Sequence, residues 1–117
     1  MKPTLLYIHG LGSDQHSRKF VNLKDYFKDQ FDYDFVEWNN ESNISELLDD
    51  AEIKLENTEL PVLVGDSTGA NFAYQLRERR LVKGKKSILI LSSPLLDIDE
   101  RIADFDFPEK ITPQLKK

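Results

Sequence analysis

The segment from Val62 to Gly69 constrains this chain more than any other, because an apolar run passes directly into Gly-x-Ser-x-Gly and then into a helical pattern. A strand before and a helix after are the context of a nucleophile elbow, a sharp turn that raises a serine above the end of a strand. Gly65 and Gly69 stand where a Cβ would strike the neighbouring strand or helix. The pattern predicts that Ser67 is a catalytic nucleophile, and that a helix beginning near Thr68 stabilises negative charge through its N-terminal amides.

A second loop is predicted to face the same serine. Residues 4–8 form a short apolar strand that ends in His9 and Gly10, and a glycine-bearing loop follows. Acyl transfer needs amide donors aimed at one oxyanion. We expect these donors to be the N–H groups of Thr68, the residue after the nucleophile, and of Leu11 in this loop. The two loops therefore predict a single site.

Strands and helices alternate along the rest of the chain, with no repeat, low-complexity segment or interior linker. Strands are predicted at residues 4–8 and 33–36, in the elbow segment, and at residues 87–91. This alternation predicts an α/β fold in which a parallel sheet of about four strands is covered by helices. With right-handed crossovers, the expected spatial order of the strands is second, first, third, fourth.

Three helices are predicted from apolar residues at helical spacing. The first covers residues 20–31, the second takes Ser42 or Ser45 as its N-cap, and the third covers residues 68–81. The apolar positions expected in the core are Phe20, Val21, Leu23, Tyr26, Phe27 and Phe31 in the first helix, and Ile44, Leu47, Leu48, Ala51 and Leu55 in the second.

These motifs together resemble the α/β-hydrolase superfamily, and within it the small YqiA-like and retinoblastoma-binding-type serine hydrolases. The resemblance lies in the opening strand with His9-Gly10, the loop over residues 13–19 that enters a helix, the Gly-Asp-Ser-Thr-Gly elbow, and the strand at residues 88–91 followed by Ser-Ser-Pro. It implies a partial α/β-hydrolase fold in one domain over residues 1–117. It also implies a serine esterase that acts on a small acyl substrate without a cofactor, in which His9 and Gly10 shape the oxyanion loop.

The general base is the missing part of this interpretation. In this fold a triad follows the chain order serine, acid, histidine, but both histidines, His9 and His16, precede Ser67. His16 lies on the loop after the first strand and is a candidate substitute for the base. Asp97 and Asp99, just beyond the fourth strand, are placed where the acid of a triad could sit. The alternative for both is a solvated loop carboxylate.

Two explanations of the absent late histidine stay open. The chain ends where Thr112 and Pro113 predict the start of a helix, and we expect the C-terminal strands of the domain, with the acid and the histidine, beyond Lys117. The other explanation is a naturally short protein that keeps the elbow as a non-catalytic interaction domain or as a hydrolase completed by a partner. In either case the strand at residues 88–91 would present an apolar edge that can pair with another copy of the chain.

Composition limits the class of protein and the partners that the chain can have. The 117 residues fit one domain, and 39% apolar with 32% charged residues is typical of a globular protein. No apolar run approaches the ~20 residues that span a bilayer, the start carries no apolar leader, and there is no cysteine. We therefore expect a cytoplasmic protein with no membrane contact and no metal site. The net charge of -5 at pH 7 argues against nucleic acid, and the basic clusters at residues 77–86 are expected to solvate a helix end.

A rival from another class is a flavodoxin-like domain that binds a phosphate or a flavin. The run from Ser67 to Asn71 looks like the hydroxyl-rich phosphate loop of those proteins, which holds a phosphate at a helix N-terminus. In flavodoxins that loop follows the first strand, whereas here it follows the third predicted strand. The spacing of Gly65 also favours the elbow, so the hydrolase interpretation is preferred.

Overall fold

A computed structural model describes residues 2–11, 16–92, 111, 114 and 115. In these residues four strands alternate with three α-helices, and one short 3-10 helix follows the first α-helix. The strands are β1 (Thr4–Ile8), β2 (Asp32–Val36), β3 (Val62–Asp66) and β4 (Ile88–Ser92). The helices are α1 (Arg18–Phe27), α2 (Ile44–Lys54) and α3 (Thr68–Val82), with the 3-10 helix at Lys28–Gln30.

The strands form one parallel sheet in the order β2-β1-β3-β4. The predicted α/β class, the parallel pairing and the spatial order are therefore confirmed. Ile8 at the end of β1 is in register with Gly65, and Asp66 at the end of β3 is in register with Ser92. The carboxyl ends of β1, β3 and β4 consequently lie at the same edge of the sheet, where open α/β sheets bind their ligands.

A hydrophobic core lies on each face of the sheet, because the side chains of a strand alternate between the two faces. On β1, Leu6 and Ile8 belong to the core under α2 and α3, whereas Leu5 and Tyr7 belong to the core under α1. The larger core under α2 and α3 contains Leu6, Ile8, Val36, Trp38, Ile44, Leu48, Ala51, Leu55, Leu63, Phe72, Ala73, Leu76, Ile111 and Leu115.

Helix α1 is shorter and less buried than its aromatic pattern predicts. The helix ends at Phe27, since Lys28 takes a φ of 51°, and Phe31 lies beyond it. Ser17 caps its N-terminus by accepting the N–H of Phe20, the one fully buried residue of the helix. The prediction that Val21 and Tyr26 lie in the core is wrong, because these side chains are 39% and 77% exposed. Each helical residue is rotated by about 100° from the previous one, so these two side chains point away from the line through Phe20.

Helix α2 buries the predicted face but begins with a different cap. The structure places Ile44, Leu48, Ala51 and Leu55 in the core, with Leu47 packed against it. The prediction of Ser42 or Ser45 as N-cap is wrong, because Asn43 Oδ1 accepts the N–H of Glu46. Ser42 Oγ instead accepts the N–H of Asn39, and Ser45 Oγ accepts a hydrogen bond from Arg79.

Gln114 is hydrogen-bonded to the start of α2. Gln114 Oε1 accepts the N–H of Ile44 at 2.6 Å, and its amide nitrogen donates to Ser42 O at 3.0 Å. Gln114 N–H also donates to Ile111 O at 2.9 Å. Thr112 and Pro113, the predicted start of a helix, lie outside the described residues.

Arg80 departs from the expectation that the basic cluster is solvated. Its side chain is 1% exposed and donates to Ser87 Oγ and to the carbonyls of Leu55, Thr58 and Lys86. Burial lowers the pKa of Arg80 from its ordinary value, and Glu52 opposes that shift. The guanidinium therefore joins the α2–β3 and α3–β4 connections.

The outer strand β4 is the most exposed of the four. Ile88, Ile90 and Leu91 are all exposed, and among the described residues β4 pairs with β3 alone. The predicted pairing of this edge with another copy stays a prediction. Within the described part of the chain, no helix has the length and apolar character needed to cross a bilayer.

Candidate active site at the ends of the central strands

Ser67 occupies an unusual backbone conformation between β3 and α3. Its φ of 56° and ψ of -115° lie in a region where the backbone of any residue other than glycine is strained. The strained residue is held from both sides, because Ser67 N–H donates to Ser92 O at 2.8 Å and Ser67 O accepts the N–H of Ala70 at 3.0 Å. Ser67 precedes α3 but its hydroxyl makes no capping hydrogen bond, unlike Ser17 before α1. The local geometry therefore leaves this hydroxyl uncommitted to helix capping.

Two glycines allow α3 to begin directly on top of the sheet. A Cβ at Gly69 would lie 2.2 Å from Ile8 O and 2.3 Å from His9 O. A Cβ at Gly65 would lie 2.4 Å from Gly69 O and 2.6 Å from the Cα of Ala70. These contacts are with backbone, which cannot move aside as a side chain would. The first turn of α3 is thus packed against the end of β1 as well as of its own strand.

The loop after β1 passes beside Ser67. A Cβ on the buried Gly10 would lie 3.5 Å from Ser67 Cβ and 3.6 Å from Asp66 Oδ2. Leu11, which follows Gly10, is exposed, whereas Thr68, which follows Ser67, is buried. The structure therefore brings together the two segments that carry the predicted oxyanion donors.

His9 is buried and both of its ring nitrogens are hydrogen-bonded. Nε2 accepts the backbone N–H of Trp38 at 2.9 Å, so in the neutral ring the hydrogen resides on Nδ1, which donates to Gly10 O at 2.6 Å. The ring also stacks on the indole of Trp38 at a centroid distance of 5.3 Å. This arrangement leaves neither nitrogen to receive a proton from Ser67.

A polar cluster that the sequence did not indicate lies on the α1 side of Ser67. Lys19 Nζ donates to Asp66 Oδ1 at 2.8 Å and to Ser92 Oγ at 2.7 Å. Next to it, the hydroxyl of Tyr7 is hydrogen-bonded to Ser17 Oγ at 3.1 Å. Burial raises the pKa of Tyr7, the bond to Ser17 lowers it, and nearby Asp66 raises it. The cluster joins residues that are distant in the chain, from β1, β3, β4 and the start of α1.

Of the remaining predicted residues, the structure describes His16 alone. His16 lies in an exposed turn before α1, and Asp97 and Asp99 lie outside the described residues. Within the described ranges no group of three or more His, Asp or Glu side chains could hold a metal ion. Two cavities, of about 280 and 570 Å³, lie at the opposite end of α3 from Ser67 and are lined in part by Glu56 and Lys85.

The sequence and the structure were compared with known proteins. No protein-family model matches the sequence, and no curated protein is similar to it. A crystal structure of a protein from Agrobacterium vitis S4, provisionally named a hydrolase, resembles the chain with a TM-score of 0.65 at 18% identity. The fold is hydrolase-like. The match covers 90% of this chain and 51% of the other, so the chain spans about half the length of that protein.

This likeness confirms the hydrolase-like fold and nothing finer, since the identity is low. The finer assignment to the YqiA-like or retinoblastoma-binding-type branch stays a prediction, and so does the esterase activity. What the hydrolase-like fold contributes is a sheet edge at which the Ser67 turn and the Gly10 loop meet.

Proposed function

We propose that this chain carries the nucleophile and the oxyanion hole of a serine hydrolase that acts on small acyl substrates. The observation that supports it most is the backbone of Ser67, which takes a φ of 56° between a buried parallel strand and a helix. A strained serine at such a turn is the geometry of a nucleophile elbow, which holds Oγ clear of the sheet. The close packing at Gly65 and Gly69 supports the same proposal.

In the proposed reaction, Ser67 Oγ attacks the acyl carbonyl carbon while a general base removes the hydroxyl proton. The carbonyl π electrons move to oxygen, and the N–H groups of Thr68 and Leu11, with the N-terminus of α3, stabilise the oxyanion. Collapse of the tetrahedral intermediate breaks the bond to the leaving group, which takes the proton from the base. Water then attacks the acyl-serine by the same route and regenerates Ser67.

His9 is assigned a loop-shaping role and not that of the base, because its ring already donates to Gly10 O and accepts from Trp38 N–H. We propose that the base belongs to a segment that completes the domain, since the match covers only 51% of the hydrolase-like structure. His16 is the alternative base on the chain itself, and Asp97 and Asp99 are the candidate acids. Without an engaged base, the reaction of Ser67 is expected to be slow.

Covalent labelling tests the proposal. The folded chain is incubated with a fluorophosphonate, and the adduct is located by peptide mass spectrometry. We expect slow modification at Ser67, none in Ser67→Ala, and unchanged modification in Ser45→Ala, whose hydroxyl contacts Arg79, about three turns along α3 from Ser67. The chain unfolded in urea should not react, because the reactivity depends on the turn.

Three outcomes separate the alternatives. Fast labelling that His16→Ala abolishes would make His16 the base. A folded chain that stays unmodified at Ser67 would contradict the proposal and favour a non-catalytic interaction domain. Tight binding of flavin mononucleotide, seen as a change in its fluorescence on titration, would instead support the phosphate-binding alternative.

A further inference from the structure

Lys19 connects the two residues that flank the backbone of Ser67. Its ammonium donates to Asp66 Oδ1 at 2.8 Å and to Ser92 Oγ at 2.7 Å. Asp66 directly precedes Ser67, and Ser92 O accepts the N–H of Ser67 at 2.8 Å. One cation on α1 therefore reaches the ends of β3 and β4 on both sides of the strained turn.

The carboxylate that Lys19 holds lies close to the proposed oxyanion loop. Asp66 Oδ2 is 3.6 Å from the position that a Cβ on Gly10 would occupy, and Leu11 is the next residue. An uncompensated carboxylate here would repel the negative charge that develops on the acyl oxygen. Asp66 is only 21% exposed, so water screens its charge less than that of a surface carboxylate.

We propose that Lys19 is a positioning residue for Ser67: it neutralises Asp66 beside the oxyanion loop and, through Ser92, holds the turn in place. This inference rests on the proposed function, because it assumes that Ser67 reacts. Lys19 acts through its two partners and not as a base, since its ammonium is the donor in both hydrogen bonds.

A second lysine on the chain provides a matched control. Lys54 pairs with Asp34 at 3.4 Å, and its side chain is 45% exposed, close to the 48% of Lys19. The Lys54 pair lies on β2 and α2, away from Ser67. Exposed ion pairs contribute little to stability, so a difference between the two lysines in reactivity would report on the site and not on folding.

The test measures the rate constant for phosphonylation of Ser67 by a fluorophosphonate on the full chain. We expect Lys19→Met to lower it about tenfold and Lys19→Arg to stay within about threefold of wild type. Lys54→Met should leave it unchanged. Asp66→Asn should react at least about threefold faster than Lys19→Met, although both changes break the same ion pair.

The double variant Lys19→Met/Asp66→Asn separates charge from structure. Removing the carboxylate should restore most of the rate that Lys19→Met loses, whereas a purely structural role would not be rescued. A folded Lys19→Met that reacts at the wild-type rate would overturn the inference. The inference would also be overturned if both the double variant and Asp66→Asn reacted as slowly as Lys19→Met. If Lys19→Met does not fold, Lys19→Gln takes its place, and Asp66→Asn should again react at least about threefold faster than the lysine variant. A folded wild-type chain with no Ser67 adduct would instead overturn the proposed function, and this inference with it.

Discussion

His9 and Trp38 hold the ends of β1 and β2 together through two hydrogen bonds and a stacked contact. Trp38 donates its backbone N–H to His9 Nε2 and its indole N–H to His9 O, both at 2.9 Å. The indole in turn meets Phe72 of α3 edge to face, at a centroid distance of 5.1 Å. The loop that passes Ser67 is therefore anchored to the core on the α2 and α3 side.

Replacing His9 by Phe should destabilise the protein by about 2 kcal/mol, because the ring can still stack but the buried N–H of Trp38 loses its acceptor. The free energy of unfolding in urea measures the change. Tyr26, which is 77% exposed, provides the control, and Tyr26→Phe should change stability by less than about 0.5 kcal/mol. A His9→Phe variant as stable as wild type would mean that the Trp38 N–H finds another acceptor.

Gly69→Ala should destabilise the fold by about 3 kcal/mol or more, since the new methyl group would meet the backbone carbonyls of Ile8 and His9. Gly84 is the matched control, because its φ is 76° but nothing lies within 4 Å of a Cβ there. Gly84→Ala should cost about 1 kcal/mol for the left-handed backbone alone. Equal losses in the two variants, measured by urea unfolding, would show that α3 can shift away from β1.

Loss of the hydroxyl should lower folding stability at Tyr7 but not at Tyr33. Tyr7 is bonded to Ser17 Oγ, so Tyr7→Phe should lose about 1 kcal/mol. The hydroxyl oxygen of Tyr33 is buried with no partner among the described residues, so Tyr33→Phe should be at least as stable as wild type. Thermal unfolding of the two variants at pH 7 makes the comparison, and a clear loss in Tyr33→Phe would contradict it.

The loss of folding stability at alkaline pH should depend on Tyr7. Burial raises the pKa of Tyr7 above the ordinary 10.0, so the folded state holds this proton more tightly than the unfolded state. The resulting stability is fully present below pH 10.0 and is lost as the pH rises through the raised value. Urea unfolding between pH 9 and pH 11, roughly a unit either side of the ordinary tyrosine pKa, should show a shallower decline in Tyr7→Phe than in wild type. Parallel declines would contradict this assignment.

Arg80→Met should destabilise the protein by about 3 kcal/mol, because Arg80 is buried although its neighbours in the sequence are basic. The buried guanidinium bonds three backbone carbonyls and Ser87 Oγ, and methionine can replace none of these four hydrogen bonds. Lys54→Met, which removes an exposed cation, should change the free energy of unfolding by less than about 0.5 kcal/mol. Similar values for both would mean that water replaces the guanidinium.

The sequence alone determined the strands, their order, the buried face of α2 and the need for glycine at positions 65 and 69. The strands and the buried face of α2 follow from apolar periodicity along the chain. The strand order follows from the right-handed crossovers, and the two glycines follow from the nucleophile-elbow motif. It also singled out Ser67, because the turn between a strand and a helix is a local motif.

Only the tertiary structure decided which polar side chains meet. Asn43 caps α2 although Ser42 and Ser45 are equally suited by type, because those two hydroxyls bond elsewhere. Lys19 reaches partners 47 and 73 residues away in the chain, which no spacing rule indicates. Such contacts depend on the register of the sheet and on where each helix packs, and these are properties of the whole fold and not of any one segment.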